Sequence, residues 1–183
     1  MSTLQVQIFD LWHAGSGRGG DRDLDRLVVR DDDGLPYLPG KHLKGLMRRA
    51  VVCLETWGHA KAGLAEVLFG RPEPQGQGRI DVRDAVLSAQ EAAWFLQQPG
   101  AVAELFVRRA NVRMNARGVA EPRGLRSIEL VVPMTLHAPV VSCDHDGESW
   151  RTLKEATGLV RAVGALRHRG LGRARLSFRS PEA

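Results

Sequence analysis

The sequence predicts a single α+β domain, residues 1–183, built on a ferredoxin-like antiparallel sheet with large insertions. Two observations support this fold class. Strand-like and helix-like patterns follow one another in the order strand, helix, strands, helix, strand. The chain is also long enough for one well-buried core but short for two domains, and its hydrophobic content of 43% is typical of a folded globule.

The first predicted elements are a strand, a long loop and a helix. Residues 4–8 alternate between apolar and polar side chains, which predicts a core strand with one buried face. Residues 13–36 are rich in glycine, aspartate and proline, which predicts a long loop insertion. A helix is expected from Gly40 to about Trp57, because apolar residues recur at helical spacing at Leu43, Leu46, Met47, Ala50, Val51 and Leu54.

The middle of the chain predicts short elements. Residues 64–69 indicate a short helix and residues 79–82 a strand, and a capping box at 88–91 opens another short helix that runs through Trp94. Residues 101–141 are β-like around an arginine-rich arm. Inward-facing positions are expected there at Val107, Ile128, Leu130, Val132, Leu136 and Val140.

The last predicted elements are a helix and a strand. Ser149 is expected to cap the helix, and a tight turn at 170–172 is expected to end it. Residues 174–178 alternate with arginines, which predicts a strand that packs one face. The apolar side of the helix is predicted to consist of Trp150, Leu153, Ala156, Val160 and Val163.

The charge of the chain comes mainly from arginine. Of the 26 basic residues only four are lysines, and the net charge is +5. Planar guanidinium groups bind phosphate by two parallel hydrogen bonds, so this bias is consistent with a nucleic-acid ligand. A GC-rich genome produces the same bias, and the placement of the arginines must therefore decide between the two explanations.

Cysteine use and hydropathy indicate the cellular compartment. Two cysteines, Cys53 and Cys143, are too few for a disulfide framework in a chain of this size, which suggests a reducing environment. The first residues lack the pattern of a signal peptide, and no apolar run approaches the length of a membrane span. We therefore expect a soluble, cytoplasmic protein.

A first basic cluster spans residues 41–49, at the start of the predicted helix. Lys41, Lys44 and Arg48 share one edge of the helix, directly after the Pro39-Gly40 pair. Amide groups and the macrodipole at a helix N-terminus both favour an anion, so the cluster is a candidate phosphate site. The alternative is a solvated edge of an amphipathic helix.

Two more basic clusters follow. Residues 108–126 carry six arginines and one acid, a local charge of +5, and a hairpin of this charge suits a nucleic-acid backbone. Residues 167–179 carry five arginines around Gly170 and Gly172, which would let a ligand approach the backbone closely. The alternatives are a mobile solvent-exposed loop for the first, and a helix cap followed by an edge strand for the second.

Taken together, these clusters resemble the RAMP (repeat-associated mysterious protein) superfamily. The segment DDDGLPYLPGKHLKGLMRRAV at 31–51 resembles the family motif that precedes and begins the first helix, and RHRGLGRARLSF at 167–178 resembles its C-terminal glycine-rich loop. The segment at 111–140 resembles the family's thumb hairpin, and RIDVRDAVL resembles its strand that ends in an Asp-Ala pair. The resemblance implies an RRM-like sheet with helices on one face and a thumb at about 108–127.

Within the superfamily the chain looks most like the backbone subunits of type III CRISPR effector complexes. That resemblance implies a subunit that lies beside neighbouring RAMP subunits, holds the phosphates of the CRISPR RNA and kinks this guide with the thumb. The chain departs from the family pattern at Lys41 or His42, where family members usually have a small hydroxyl residue. The implied RNA contacts are Lys41, His42, Lys44, Arg48, Arg49, Arg113, Met114, Arg169, Gly170, Gly172 and Arg173.

The resemblance also implies cleavage of target RNA by an aspartate in the long loop with a divalent metal such as Mg²⁺. The segment DRLVVRD matches the family pattern and makes Asp25 the implied catalytic residue and metal ligand, near Asp21 and Asp23. A carboxylate there would hold the metal or position the attacking 2′-hydroxyl. The alternative is that the six acids between 21 and 33 only keep the loop solvated.

Other chemistries have less support. Cys143-Asp144-His145 resembles a metal site superficially, but the sequence offers no set of four zinc ligands, and it has no Ser-His-Asp motif. The nine Trp and Phe residues fall mostly on predicted core positions, so we expect recognition of the RNA backbone and shape more than base stacking. Two rival functions stay open: an inert guide-binding subunit, and an enzyme that binds a nucleotide phosphate at the Gly-Leu-Gly turn.

Overall fold

The structure is a computed structural model that describes residues 2–15, 17, 26–71, 78–142 and 147–179, with the side chains of 113, 122 and 123 left undescribed. Six strands are described: β1 Ser2–Ile8, β2 Ile80–Val82, β3 Phe106–Met114, β4 Ala120–Val131, β5 Thr135–Ser142 and β6 Ala174–Arg179. Four α-helices are described: α1 Gly40–Thr56, α2 Leu64–Phe69, α3 Ala89–Gln97 and α4 Glu148–Thr157. Short 3-10 turns lie at Ala103–Leu105 and Arg167–Arg169.

The central sheet has four antiparallel strands in the order β2-β5-β1-β6. Leaving aside the β3–β4 hairpin, these strands and helices α1 and α4 follow the β-α-β-β-α-β order of a ferredoxin-like fold. The predicted fold class is therefore confirmed. Strand β6 is an edge strand, and its neighbour β1 lies in the centre of the sheet.

One face of the sheet forms the core beneath α1 and α4. Apolar side chains at alternate positions of β1 and β5 are fully buried, whereas residues such as Gln5 and Gln7 lie on the opposite face. The Trp150 ring of α4 packs on Phe178 of β6 with 4.7 Å between ring centroids. Strand alternation and helical periodicity thus bury their apolar sides in one shared core that includes Leu4, Val6, Leu43, Met47, Val51, Leu136, Ala138 and Leu153.

The predicted capping box of α3 is present. The Ser88 hydroxyl accepts the Glu91 N–H, and the Glu91 carboxylate accepts the Ser88 N–H. Helix α3 nevertheless buries none of its residues, and Trp94 is 55% exposed. Local capping chemistry alone was enough to predict this helix, and Trp94 is an exception to the expectation that the aromatic residues fall mostly on core positions.

Helix α4 is shorter than predicted. Its N-cap is Gly147 and not Ser149, and the helix ends at Thr157. Val160 and Val163 are buried, but they belong to a non-helical segment that pairs with the start of β6, where Val163 N–H donates to Gly172 O and Ala174 N–H to Arg161 O. The turn at 170–172 therefore does not end the helix. Buried valines three residues apart are compatible with a helix or with an extended segment. The backbone hydrogen bonds to the start of β6 select the extended segment here.

The β3–β4 hairpin extends away from the central sheet. Its pairs run from Phe106 opposite Val131 to Met114 opposite Ala120, with an irregularity between Val112 and Met114. The base of the hairpin is packed, since Ile128 and Leu130 are buried against Leu171, whereas most of the described side chains farther out are exposed. The inward positions predicted in this region are accordingly wrong for Val107, which is 38% exposed, and Val132 is only partly buried.

None of the helices in the described ranges combines the length and the apolar character that crossing a membrane requires.

Candidate nucleic-acid interface

Helix α1 begins against the β2–α3 connection. Gly40 N–H donates to the Asp84 carboxylate at 2.7 Å, and a Cβ on Gly40 would lie 2.2 Å from the Val82 carbonyl oxygen. Only glycine fits at this contact. The first amide of the helix is thus already bound to an anion, so a phosphate at this end would depend mainly on side chains and less on free amides than the sequence suggested.

The basic side chains of α1 lie along its length. Lys41 and Arg49 are exposed, and Lys44 and Arg48 are half-buried. In the described part of the chain none of these four forms an ion pair with an acid. Their charge is therefore available to an external anion.

His42 joins α1 to residues 161–173, which contain Gly164, Gly170 and Gly172 and which we call the glycine-rich segment. Its Nε2 accepts the Gly164 N–H at 2.9 Å, although the two residues are 122 positions apart in sequence. Burial, followed by the charge of Arg167, lowers the pKa of His42 below its ordinary value of 6.5, so the neutral ring that can accept this bond is favoured. The sequence predicted His42 as an RNA contact, and this prediction stays open, but Nε2 is engaged within the protein.

The glycines of this segment are required by the fold. Gly164, Gly170 and Gly172 all have φ between 69° and 79°. A Cβ on Gly172 would lie 2.0 Å from the Val163 carbonyl oxygen, and one on Gly164 would lie 2.5 Å from the His13 carbonyl oxygen. Only Gly170 has open space where a Cβ would stand, and it is exposed. Packing of the chain on itself therefore explains Gly172, whereas positive φ explains Gly170, whose open side leaves room for a ligand to approach the backbone.

Arginines from α1 and from the glycine-rich segment meet at a groove beside α1, which we call the α1 groove. Arg49 lies on one side, and Arg161, Arg167 and His168 lie on the other. The groove has a volume of about 450 Å³. Its remaining lining residues are Leu46, Ala50, Cys53, Trp57, Leu159, Val160 and Ala162.

Arg173 lies at a second groove, beside the edge strand β6, which we call the β6 groove. It is lined by Phe9, Arg161, Arg173 and Arg175 among others. Part of the Arg173 guanidinium already has a partner within the protein, because its Nε pairs with the Asp10 carboxylate at 3.1 Å. Its guanidinium carbon also lies 5.9 Å from the centre of the Phe9 ring. Val160 and Arg161 line both grooves.

Arg113 and Met114 lie far out on the hairpin. Met114 is 65% exposed, five positions beyond Arg109, which pairs with Ile128 at the packed base. At about 3.3 Å per residue that distance is roughly 16 Å. The structure therefore brings the α1 cluster and the C-terminal cluster together. The base of the hairpin lies beside the C-terminal cluster, because Ile128 and Leu130 pack on Leu171. The outer end of the hairpin does not reach α1.

The predicted catalytic residue Asp25, with Asp21 and Asp23, lies outside the described residues. The chain on either side of this loop is held at the hairpin base. Glu129 N–H donates to the Arg26 carbonyl oxygen, and Val29 N–H donates to the Ala14 carbonyl oxygen. The residue that follows Asp25 is thus fixed to β4.

A buried carboxylate, which the sequence reading missed, organises the hairpin base. Glu129 is 5% exposed; its Oε2 accepts the Val28 N–H at 3.1 Å, and its Oε1 accepts the Arg30 Nη2 at 2.7 Å. His13 Nδ1 lies 2.8 Å from the Glu129 carbonyl oxygen, which can only accept, so this nitrogen carries the proton. Burial lowers the pKa of His13. The position of Glu129 inside the apolar run IELVV was the sequence feature that could have indicated a buried carboxylate.

A metal centre does not emerge from the described residues, among which no three His, Cys, Asp or Glu side chains are close enough to hold an ion. Cys143, Asp144 and His145, the metal-like triplet of the sequence, lie outside these residues, as does Asp25. The predicted Mg²⁺ or other divalent cation consequently stays a prediction.

Comparisons with known proteins agree with this architecture. A chain in the cryo-EM structure of type III-B Cmr-beta bound to cognate target RNA has a TM-score of 0.71 at 13% identity, covering 97% of this chain and 96% of that one. A chain in the apo state of type III-B Cmr-beta has a TM-score of 0.73 at 12% identity, covering 98% and 97%. At these identities the likeness shows the fold alone.

Family comparison is more decisive. A search of curated proteins finds no match. The model of the RAMP superfamily, however, matches residues 10–175, which include the whole of α1, the hairpin and the glycine-rich segment. Apart from the end of β6, the arginine-bearing elements described above fall inside the matched region. This match covers most of the chain, and the chain therefore belongs to the RAMP superfamily.

Proposed function

We propose that this protein is a CRISPR RNA-binding backbone subunit of a type III effector complex. The observation that carries the proposal is the meeting of α1 with the glycine-rich segment, where Arg49 faces Arg167 and His168 across the α1 groove and the His42–Gly164 hydrogen bond joins the two elements. Family membership supports it, as does the likeness to a chain in the structure of type III-B Cmr-beta bound to cognate target RNA.

In this function, guide phosphates would contact cations from both elements. Guanidinium and ammonium groups neutralise phosphates without reading bases, which suits a subunit that must accept any guide sequence. The hairpin, in whose outer half most of the described side chains are exposed, would separate successive segments of guide. Target RNA and neighbouring RAMP subunits are the further partners. The proposed contacts are Lys41, His42, Lys44, Arg48, Arg49, Arg169, Gly170, Gly172 and Arg173, with Arg113 and Met114 on the hairpin.

The proposal is tested by charge reversal on α1. Lys44→Glu with Arg48→Glu should reduce affinity for single-stranded RNA by at least about 10-fold at moderate salt, because two phosphate contacts become repulsive. The matched control is Arg71→Glu, which changes an exposed arginine that pairs with Glu66 elsewhere on the surface. RNA that co-purifies with the wild-type chain should be lost from the double variant. Equal RNA affinity in all three proteins would contradict the proposal.

We also propose that Asp25 supplies a metal-dependent cleavage site for target RNA. Support comes from the family-like DRLVVRD segment and from the fixed position of Arg26, which ties the end of the loop to β4. A bound divalent cation would supply charge stabilisation at the scissile phosphate. Asp25→Ala in the assembled complex should abolish metal-dependent cleavage and leave guide binding intact.

The matched control for Asp25 is Asp33→Ala, an exposed turn residue of the same acidic stretch. Cleavage that persists in the Asp25 variant would favour the rival function, an inert structural subunit. Tight binding of a mononucleotide without binding of RNA would favour the other rival, a nucleotide-phosphate enzyme.

A further inference from the structure

Two of the four tryptophans are exposed, although the Trp and Phe residues were expected to fall mostly on core positions. Trp57 is 58% exposed and Trp94 is 55% exposed, whereas Trp12 and Trp150 are buried. Trp94 packs edge-on against Phe95, its neighbour on α3. Trp57 instead lines the α1 groove. An exposed indole at a groove indicates a ligand more strongly than one on an open helix surface.

The backbone holds Trp57 in a fixed position. It is the C-cap of α1, and the chain turns there through Gly58, which has φ 75°. Gly58 N–H donates to the Glu55 carbonyl oxygen and His59 N–H to the Leu54 carbonyl oxygen. This pair of bonds is the Schellman arrangement that closes a helix end. The indole therefore starts from a rigid backbone, which limits the entropy lost when it binds a ligand.

The α1 groove combines an apolar floor with a basic rim. Cys53 lies between Arg49 and Trp57 at four-residue spacing, so these three side chains follow one stripe of the helix for about 12 Å. Arg161, Arg167 and His168 line the opposite wall, and no acid is among the lining residues in the described part of the chain. A hydrophobic segment of a protein partner would leave three guanidinium groups without anions. An anionic ligand with flat apolar surfaces satisfies both parts of the groove.

We propose that the α1 groove binds single-stranded RNA, with one base stacked on the indole of Trp57 and adjacent phosphates on Arg49 and Arg167. The proposal rests on the proposed function and adds to it a contact to a base face. Stacking tolerates every base, because each has a π-face, so the contact fits a subunit that accepts any guide sequence. Arg161, which lines both grooves, would lead the strand on towards Phe9 and Arg175 at the β6 groove.

The test compares Trp57→Ala with Trp94→Ala, a tryptophan of nearly equal exposure on another helix. Affinity is measured by titration of the full chain with a short single-stranded RNA and with the same RNA made abasic throughout. Trp57→Ala should weaken binding of the intact RNA by about five-fold or more, the equivalent of about 1 kcal/mol of stacking. It should change abasic RNA binding little, and Trp57→Phe should retain most of the affinity. Trp94→Ala should match the wild type for both RNAs.

A spectroscopic measurement on Trp94→Phe, which keeps Trp57 as its one exposed tryptophan, does not depend on the fold of the Trp57 variant. RNA should quench this fluorescence strongly, and abasic RNA should quench it weakly. If wild-type protein binds RNA while Trp57→Ala binds it equally well and no quenching occurs, the groove proposal is overturned and the proposed function stands. If Trp57→Ala impairs only association between protein subunits, the groove is a protein contact, which also overturns it. If the wild type binds no RNA, the proposed function itself fails.

Discussion

At the residue scale, Glu129 is the most consequential side chain outside the proposed RNA contacts. It is buried at the hairpin base, where it accepts a backbone N–H from Val28 and pairs with Arg30. Arg30 also stacks over the Phe106 ring, with its guanidinium carbon 3.6 Å from the ring centre. The Glu129 carboxylate on β4 thus holds residues 28–30, and Arg30 in turn contacts Phe106 on β3, so this segment is joined to both strands of the hairpin.

Removal of this carboxylate should be costly. Glu129→Ala leaves a buried N–H and a partly buried guanidinium without their acceptor, so we expect a loss of about 2–3 kcal/mol in the free energy of unfolding. Glu129→Gln keeps an acceptor and should lose less. Urea unfolding measures both, and Glu66→Ala is the control, since its exposed pair with Arg71 should contribute less than about 1 kcal/mol. Equal losses for Glu129→Ala and Glu66→Ala would contradict this account.

His42 and His13 should make stability depend on pH. Burial lowers the pKa of both below the ordinary value of 6.5 in the folded state. The unfolded chain therefore takes up protons first as the pH falls below about 6.5, and the free energy of unfolding decreases from there towards the folded pKa values. Well above pH 6.5, where the histidines are neutral in both states, this contribution to stability is fully present.

The comparison that isolates His42 is His42→Gln, whose side chain can accept the Gly164 N–H without titrating. Urea midpoints at pH 7.5 and 5.5 should differ less in this variant than in the wild type, with the remainder due in part to His13. The same pH dependence in both proteins would show that His42 does not contribute.

At the element scale, the glycine-rich segment packs closely against other parts of the chain and also carries arginines. Gly164 and Gly172 let this segment pass against His13 and Val163 at distances that no side chain permits. Arg167 and His168 of the 3-10 turn line the α1 groove, and the leucines that flank the turn, Leu166 and Leu171, pack at the hairpin base. The positions of the arginines therefore depend on the glycines.

Glycine substitutions should separate the two roles. Gly172→Ala should lower the free energy of unfolding by more than about 3 kcal/mol or prevent folding, because Cβ would overlap the Val163 carbonyl oxygen at 2.0 Å. Gly170→Ala meets no atom within 4 Å and should cost only about 1 kcal/mol, from its positive φ. Thermal unfolding distinguishes them. Similar stabilities of the two variants would contradict the assignment, and an RNA-binding loss in a folded Gly170→Ala would indicate close approach of a ligand.

At the scale of the whole molecule, cations from distant parts of the chain lie on connected surfaces. The α1 groove and the β6 groove share Val160 and Arg161, and the hairpin begins beside the glycine-rich segment. Because most of the proposed contacts are to phosphates, binding of RNA should release counterions and depend little on sequence.

Binding of RNA should accordingly weaken steeply with salt. The logarithm of the affinity should fall linearly with the logarithm of the salt concentration, with a slope of several units, and RNAs of different sequence but equal length should give the same line. Lys44→Ala should reduce the slope by about one unit, as expected for one lost phosphate contact. The affinities can be measured by filter binding between about 50 and 200 mM salt. Affinity that is independent of salt would exclude a phosphate-dominated interface.

Much of the fold could be predicted because its signals are local. Alternation over 4–8, helical spacing over 40–57 and the Ser88–Glu91 capping box each report a conformation through neighbours a few residues away. The basic clusters were also evident, since charge is a property of composition. Asp25 and its metal stay at the stage of prediction, because Asp25 lies outside the described residues.

What the tertiary structure alone decided are the contacts between segments that are remote in sequence. The sequence determined that arginines cluster at three places and that the chain resembles one family. It could not determine that residues 161–163 pair with the chain at the start of β6, that His42 accepts a hydrogen bond from Gly164, or that Trp57 stays exposed at a groove. Periodicity indicates which side of an element avoids water, but the partner that covers that side comes from elsewhere in the chain. Burial and hydrogen bonding are set by that partner, so they follow only when the whole fold has formed.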